Sequence, residues 1–211
     1  MSTTSANAGR IPVAQPTPVV SVSPVTLPVP GRAVDLEMRI SAPVSGDALP
    51  IVLLSHGQGF SNHLSSLDGY APLASFWAAH GFVVIQPTHL SSARLRLDPG
   101  TKEGPMYWRS RAEDMTRIID GLDAIEAAVP ALAGRLDKDR IAAAGHSMGG
   151  HTTSLLLGTR VTDPHDGAET NRAEPRIKAG VLLASTGRGA SPSPRSWPST
   201  TRSSWPPTSR G

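Results

Sequence analysis

Residues 141–158 read IAAAGHSMGGHTTSLLLG, and this stretch decides the fold class. Residues 141–144 are a short apolar run of strand character, while residues 149–157 suit a helix that Gly158 closes. Between them lies Gly145-His146-Ser147-Met148-Gly149, a serine centred in a G-x-S-x-G string at a strand-to-helix junction. A turn that sharp strains the serine backbone and raises its hydroxyl above the sheet. Side chains two positions to either side would collide, which accounts for Gly145 and Gly149. A third glycine, Gly150, lets helix and strand approach closely. The helix aims its first N–H groups, that of Met148 among them, where negative charge develops when a serine attacks a carbonyl. Ser147 is therefore the candidate catalytic nucleophile; the alternative is a glycine-rich turn that binds nothing.

Toward the N-terminus, Ser55-His56-Gly57-Gln58-Gly59 follows directly on the apolar run 51–54. An oxyanion hole in this geometry takes one N–H from the residue after the nucleophile and one from the loop after an earlier strand. The donors are assigned to Met148 and Gln58, with Gly57 and Gly59 letting the backbone turn its N–H groups inward. Each such donor stabilises a transition state by about 3 kcal/mol. A plain tight turn is the alternative for this loop.

The rest of the chain falls into place around these two loops. Residues 1–18 read as a disordered leader without strand or helix period. Residues 19–29 and 34–41 read as two strands of a hairpin turning at Pro30-Gly31-Arg32. A helix starting at Pro72 carries Leu73, Phe76 and Trp77 on one face and stops at Gly81, and a buried strand follows at 82–85. Trp108, Met115, Ile118, Ile119, Leu122, Ile125 and Val129 recur every three or four residues, predicting one amphipathic helix that Pro130 ends. Residues 179–184 are a further apolar strand. Strands alternating with helices at this spacing predict an α/β domain with a mainly parallel sheet and helices on both faces.

Together LLSHGQG (53–59), FWAAHGFVVIQPTH (76–89) and GHSMGGHTTSLLLG (145–158) resemble bacterial α/β-hydrolases of the dienelactone hydrolase, chlorophyllase and platelet-activating-factor acetylhydrolase group. The resemblance covers residues 34–184. It implies the α/β-hydrolase fold and a serine esterase (carboxylesterase) activity on a small-molecule ester, with no metal and no organic cofactor. Dienelactone hydrolase itself uses a cysteine where this chain has Ser147.

Such a serine needs a histidine base and an acid, which this fold supplies from loops after later strands in the order Ser, acid, His. The seven histidines are His56, His63, His80, His89, His146, His151 and His165, so none follows residue 165. His56 and His146 belong to the two loops, His80 to a helix C-terminus, and His63, His89 and His151 to the surface or a pocket rim. Asp163, His165 and Asp166 lie in a turn-forming loop, with a metal site or a displaced acid–base pair as the less favoured readings. The triad acid and histidine are expected to be absent. Two further strands and their helices would take roughly 50–60 residues at ordinary element lengths. Residues 186–211 instead hold seven Ser, five Pro, four Thr and four Arg, and no His, Asp or Glu. They read as a disordered tail, native or out of frame, leaving residues 19–185 as an incomplete α/β-hydrolase domain with its C-terminal strands missing. An unpaired sheet edge would then favour self-association.

Composition narrows the field of partners. The net charge is +3, but without the tail 16 basic residues face 17 acidic ones, so no folded basic face points to nucleic acid. The absence of cysteine excludes disulfides, Cys-ligated zinc and a thiol nucleophile. No apolar run reaches the length of a membrane span, and no signal peptide is read at the N-terminus, so a cytoplasmic location is expected. Impaired ester hydrolysis through an acyl-enzyme on Ser147 is the first reading. A catalytically inactive fragment or binding module is the second, and an acyltransferase a distant third.

Overall fold

Short runs of consecutive apolar residues need cover on both faces, and β3, β4 and β5 at the centre of the sheet each contain one. The computed structural model describes residues 15–98, 107–163 and 166–185. Its strands are β1 (Val19–Leu27), β2 (Leu36–Pro43), β3 (Leu49–Ser55), β4 (Val83–Pro87), β5 (Leu136–His146), β6 (Val161–Thr162), β7 (Glu169–Thr170) and β8 (Ile177–Leu183). Its α-helices are α1 (Ala71–Ala79), α2 (Trp108–Asp120), α3 (Leu122–Ala128) and α4 (Met148–Leu156). Among the described residues one sheet runs β1-β2-β4-β3-β5-β8, and β6 and β7 pair separately. β2 runs antiparallel to both of its neighbours, β1 and β4, whereas β4, β3, β5 and β8 are parallel.

Burial follows the two-residue period of the strands. Ile51, Leu53, Val83, Ile85, Ile141 and Ala143 meet Met115, Ile118, Ile119, Leu122 and Ile125 of α2 and α3 on one face. Val52, Leu54, Val84 and Ala144 meet Ala74 of α1, with Tyr70, Leu73 and Trp77 at the rim, on the other. The parallel sheet with helices on both faces is thus as the sequence implies, and the expected hairpin is β1–β2.

Four expectations change in detail. Phe76 is exposed on α1, because the helix packs through Ala74 and Ala78, whose small side chains permit close approach to the sheet. The single helix expected over 108–129 is two, parted at Gly121, where a Cβ would lie 2.9 Å from a methyl of Leu27 on β1. β8 is not a buried strand: Val181 and Leu182 remain 44% and 41% exposed. At the leader, Thr17 N–H donates to the Ala79 carbonyl (2.8 Å) and Val44 N–H to the Pro18 carbonyl (3.0 Å), so residues 17 and 18 dock on the domain. The rest of the expected leader up to residue 14, and the tail 186–211, lie outside the described residues.

Candidate active site

β5 ends at His146 and α4 begins at Met148, which leaves Ser147 alone to turn the chain, at φ 53° and ψ −116°. Its N–H donates to the Leu183 carbonyl of β8 (2.9 Å) and its carbonyl accepts the first helical bond from His151 N–H (3.1 Å). The flanking glycines are sterically obligatory. A Cβ on Gly145 would stand 2.1 Å from the carbonyl of Gly149, and one on Gly149 would stand 2.0 Å from the Ser55 carbonyl oxygen. Gly150 is also close-packed, 3.0 Å from the Cβ of Ser185 by the same measure.

The second loop abuts the first because β3 and β5 are neighbours, with Ser55 paired to Gly145. Tyr70 pins the two together: its hydroxyl accepts from Gly57 N–H (3.3 Å) and is hydrogen-bonded to His146 Nδ1 (2.7 Å). Gly57 is needed for space, since a Cβ there would lie 3.2 Å from both His146 Nδ1 and the Tyr70 hydroxyl. Gly59 is not: its nearest neighbour would be the Ser65 hydroxyl at 3.4 Å, and neither glycine has a positive φ. The sequence-based reason given for these two glycines, an unusual backbone turn, is therefore replaced by tight packing at one and nothing at the other. Gln58 is anchored by its side chain, Nε2 donating to the Ser91 carbonyl (3.0 Å). Among the described residues neither Gln58 N–H nor Met148 N–H has a hydrogen-bond acceptor.

Beneath the loops lies a buried polar network that the sequence reading missed. His89, expected at the surface, is fully buried; its Nδ1 donates to Asp114 Oδ2 (3.0 Å) and its Nε2 accepts from the Ser55 hydroxyl (2.9 Å). His56 donates from Nδ1 to the Gly57 carbonyl (2.6 Å) and accepts His89 N–H at Nε2 (3.1 Å). Burial, reinforced by the nearby Arg111 cation, holds both imidazoles well below the usual histidine range, so they are neutral. Asp114 accepts from Arg32 Nε (3.0 Å) and Nη2 (3.2 Å); burial raises its pKa and Arg32 opposes the rise. Arg111, also fully buried, donates to the Ser91 hydroxyl (2.6 Å), the Ser55 hydroxyl (3.3 Å), the Thr152 hydroxyl (3.2 Å) and the His56 carbonyl. Burial lowers it to about 9, which leaves it a cation at neutral pH. A signal was present: Arg111, Asp114, Met115 and Ile118 share one helical face, and that face is the core.

Other expected positions resolve as follows. His63 is exposed, and His80 caps α1 with Nδ1 donating to the Phe76 carbonyl (2.6 Å). His151, expected at a surface or rim, is 7% exposed, its Nδ1 unpartnered and its pKa lowered by burial and by Arg111. Asp163 pairs with Arg109, and its backbone closes the β6–β7 turn through Ala168 and Gly167, in keeping with a turn. Pro164 and His165 lie outside the described residues. Among the described residues no side chain hydrogen-bonds the Ser147 hydroxyl, and no cluster of three metal-ligating side chains occurs. No described helix is long and apolar enough to cross a membrane. Leu90 and Leu97 line a cleft of about 450 Å³ with Tyr107 and Arg117, and Ser147 is not among its lining residues. Residues 99–106 lie outside the described residues.

No family model and no curated protein matches this chain. Solved structures do. A hyperthermophilic esterase from the archaeon Pyrobaculum calidifontis aligns over 82% of this chain and 45% of its own, at 22% identity and a TM-score of 0.51. A Klebsiella pneumoniae protein assigned as a dienelactone hydrolase aligns over 84% of this chain and 66% of its own, at 18% identity and a TM-score of 0.50. The chain spans about half the length of the esterase. These likenesses are of architecture, and with the strand order and the β5–α4 junction they give this chain the α/β-hydrolase fold.

Proposed function

We propose that the chain is a serine hydrolase of carboxylic esters, acting on a small-molecule substrate through an acyl-enzyme on Ser147. The observation that carries this is the junction itself. A non-glycine residue held at positive φ between β5 and α4 is a serine, and two N–H groups that have no acceptor among the described residues belong to Met148, at the start of α4, and Gln58, on the neighbouring loop. In the reaction Ser147 Oγ attacks the ester carbonyl, the carbonyl oxygen takes the negative charge between the N–H groups of Met148 and Gln58, and the alcohol leaves with the serine proton. Water then opens the acyl-enzyme. Tyr70 keeps the two loops at a fixed separation through Gly57 and His146, and the dipole of α4 favours the oxyanion.

The second reading, an inactive hydrolase fragment or binding module, is favoured by one observation: among the described residues no histidine or carboxylate reaches Ser147 Oγ. Without a base, acylation is slow. The test is incubation with a fluorophosphonate, mapping of the adduct, and ester turnover in parallel. Labelling confined to Ser147 and abolished in Ser147→Ala is expected. Turnover in the unaltered chain that falls by about 10⁶ in Ser147→Ala supports the enzyme; labelling without turnover supports the second reading. Labelling elsewhere, or unchanged in Ser147→Ala, removes Ser147 from the chemistry.

A further inference from the structure

Ser55, His89 and Asp114 repeat the hydrogen-bond order of a serine triad one strand away from Ser147, yet none of the three is more than marginally accessible, so no substrate reaches them. Their common neighbour is Arg111. Its guanidinium donates to the carbonyl of His56, the peptide immediately before Gly57 and Gln58. It also donates through Nε to the Thr152 hydroxyl, which in turn donates to the carbonyl of Met148 (3.1 Å). One buried side chain thus grips the loop bearing the Gln58 N–H directly and the residue bearing the Met148 N–H through a single hydroxyl.

We propose that Arg111 is a positioning residue that sets the separation and direction of the two N–H donors at Ser147, with Asp114, His89 and Ser55 serving to hold its guanidinium. The inference rests on the function proposed above. Three features make Arg111 suited to this. The guanidinium is planar, with five donors in a fixed fork, so it fixes directions as well as distances. All of its nitrogens are engaged, on β3, the loop after it, the loop after β4, and α4. Asp114 is itself doubly held by Arg32, so the far end of the chain of bonds is anchored outside the two loops. An oxyanion hole works because its donors are already placed when charge appears, and misplacing them weakens the transition state more than the bound substrate.

The experiment follows phosphonylation of Ser147 in the full chain by a fluorophosphonate, in which the Oγ–P bond forms, the P–F bond breaks, and fluoride and the serine proton leave. Saturation kinetics separate the limiting rate from the affinity for the probe. In Arg111→Met the limiting rate is expected to fall about 100-fold, as on loss of one oxyanion donor, with the affinity little changed. Leu132→Ala, a truncation of a buried side chain in the turn that precedes β5, is expected to lower stability and leave the limiting rate alone. A folded Arg111→Met protein whose limiting rate matches the parent overturns the proposal, as does a loss that resides in affinity alone. Should Arg111→Met not fold, Thr152→Val decides: it removes the hydroxyl that joins Arg111 Nε to the Met148 carbonyl, and a limiting rate lowered about ten-fold is expected, an unchanged one being fatal. Failure of the underlying reading looks different, since labelling would then persist in Ser147→Ala or be absent from the parent, and the inference falls with it.

Discussion

Ser147 at φ 53° is held in a conformation that costs a non-glycine residue about 1–3 kcal/mol. Glycine would adopt it freely, at the expense of some entropy of the unfolded chain, about 0.4–1 kcal/mol. The strain term is the larger. Ser147→Gly is therefore expected to raise stability by about 1 kcal/mol while abolishing phosphonylation, and urea unfolding at neutral pH measures it. A less stable Ser147→Gly protein would mean that the hydroxyl or the serine rotamer supports the fold. His56 and His89 carry a second residue-level consequence. Each is neutral and buried in the folded protein, with a pKa below the 6.5 of the unfolded chain, so below that pH the unfolded state binds more protons and stability falls as pH falls. Each contributes up to about 1.4 kcal/mol per pH unit, with Asp114, which burial raises, opposing part of it. Stability is expected to drop between pH 6.5 and 5, before ordinary carboxylates titrate. A flat profile over that window would show that proton uptake by the folded protein, at the imidazoles or at Asp114, matches that of the unfolded chain.

At the scale of elements the sequence was most legible where one rule acts alone. The parallel strands show as uninterrupted apolar runs, and the β5–α4 junction shows because its two glycines answer direct backbone collisions of 2.1 and 2.0 Å. Legibility failed where polar residues were buried. Arg111, Asp114 and His89 are residue types that ordinarily face water, and only the helical register of Arg111 and Asp114 with Met115 and Ile118 betrays that they do not. It failed also at Gly121, since periodicity runs unbroken from α2 into α3, and what a side chain at 121 would meet is Leu27 of β1, far away in sequence. That contact decides a prediction. Alanine is favoured over glycine within a helix by about 1 kcal/mol. A Cβ at 121 would meet the two methyls of Leu27 at 2.9 and 3.0 Å, the far end of a half-buried side chain that can turn aside at little cost. Gly121→Ala is thus expected to stabilise the chain by up to about 1 kcal/mol in urea unfolding. A destabilised variant would show that Leu27 is held in place.

For the described residues taken together, the decisive feature is the outer side of β8. Strands of a parallel sheet are ordinarily covered on both faces, and an edge strand offers unpaired N–H and carbonyl groups as a template for another strand. β8 pairs with β5 on one side, and among the described residues nothing pairs with the other. α4 covers one of its faces closely enough that a Cβ on Gly180 would lie 2.3 Å from a methyl of Leu157. On the opposite face Ala179 and Val181 are exposed, level with Ala142 and Ala144 of β5. At the other end of the sheet β1 is an edge of a different kind, with mostly part-buried and exposed residues and an irregular register around Ser23 and Pro24, features that discourage pairing. Self-association is therefore expected through β8 rather than β1. Sedimentation of the unaltered chain over a range of concentrations should show dimer, and Val181→Lys, which places a charge on the exposed apolar face without touching α4, should shift it to monomer. Because β8 also receives the Ser147 N–H through Leu183, dimerisation would rigidify the elbow, and Ser147 phosphonylation should be faster at concentrations where dimer predominates. A chain that stays monomeric at all concentrations, or a dimer that Val181→Lys leaves intact, would place the contact elsewhere and leave β8 covered by other means.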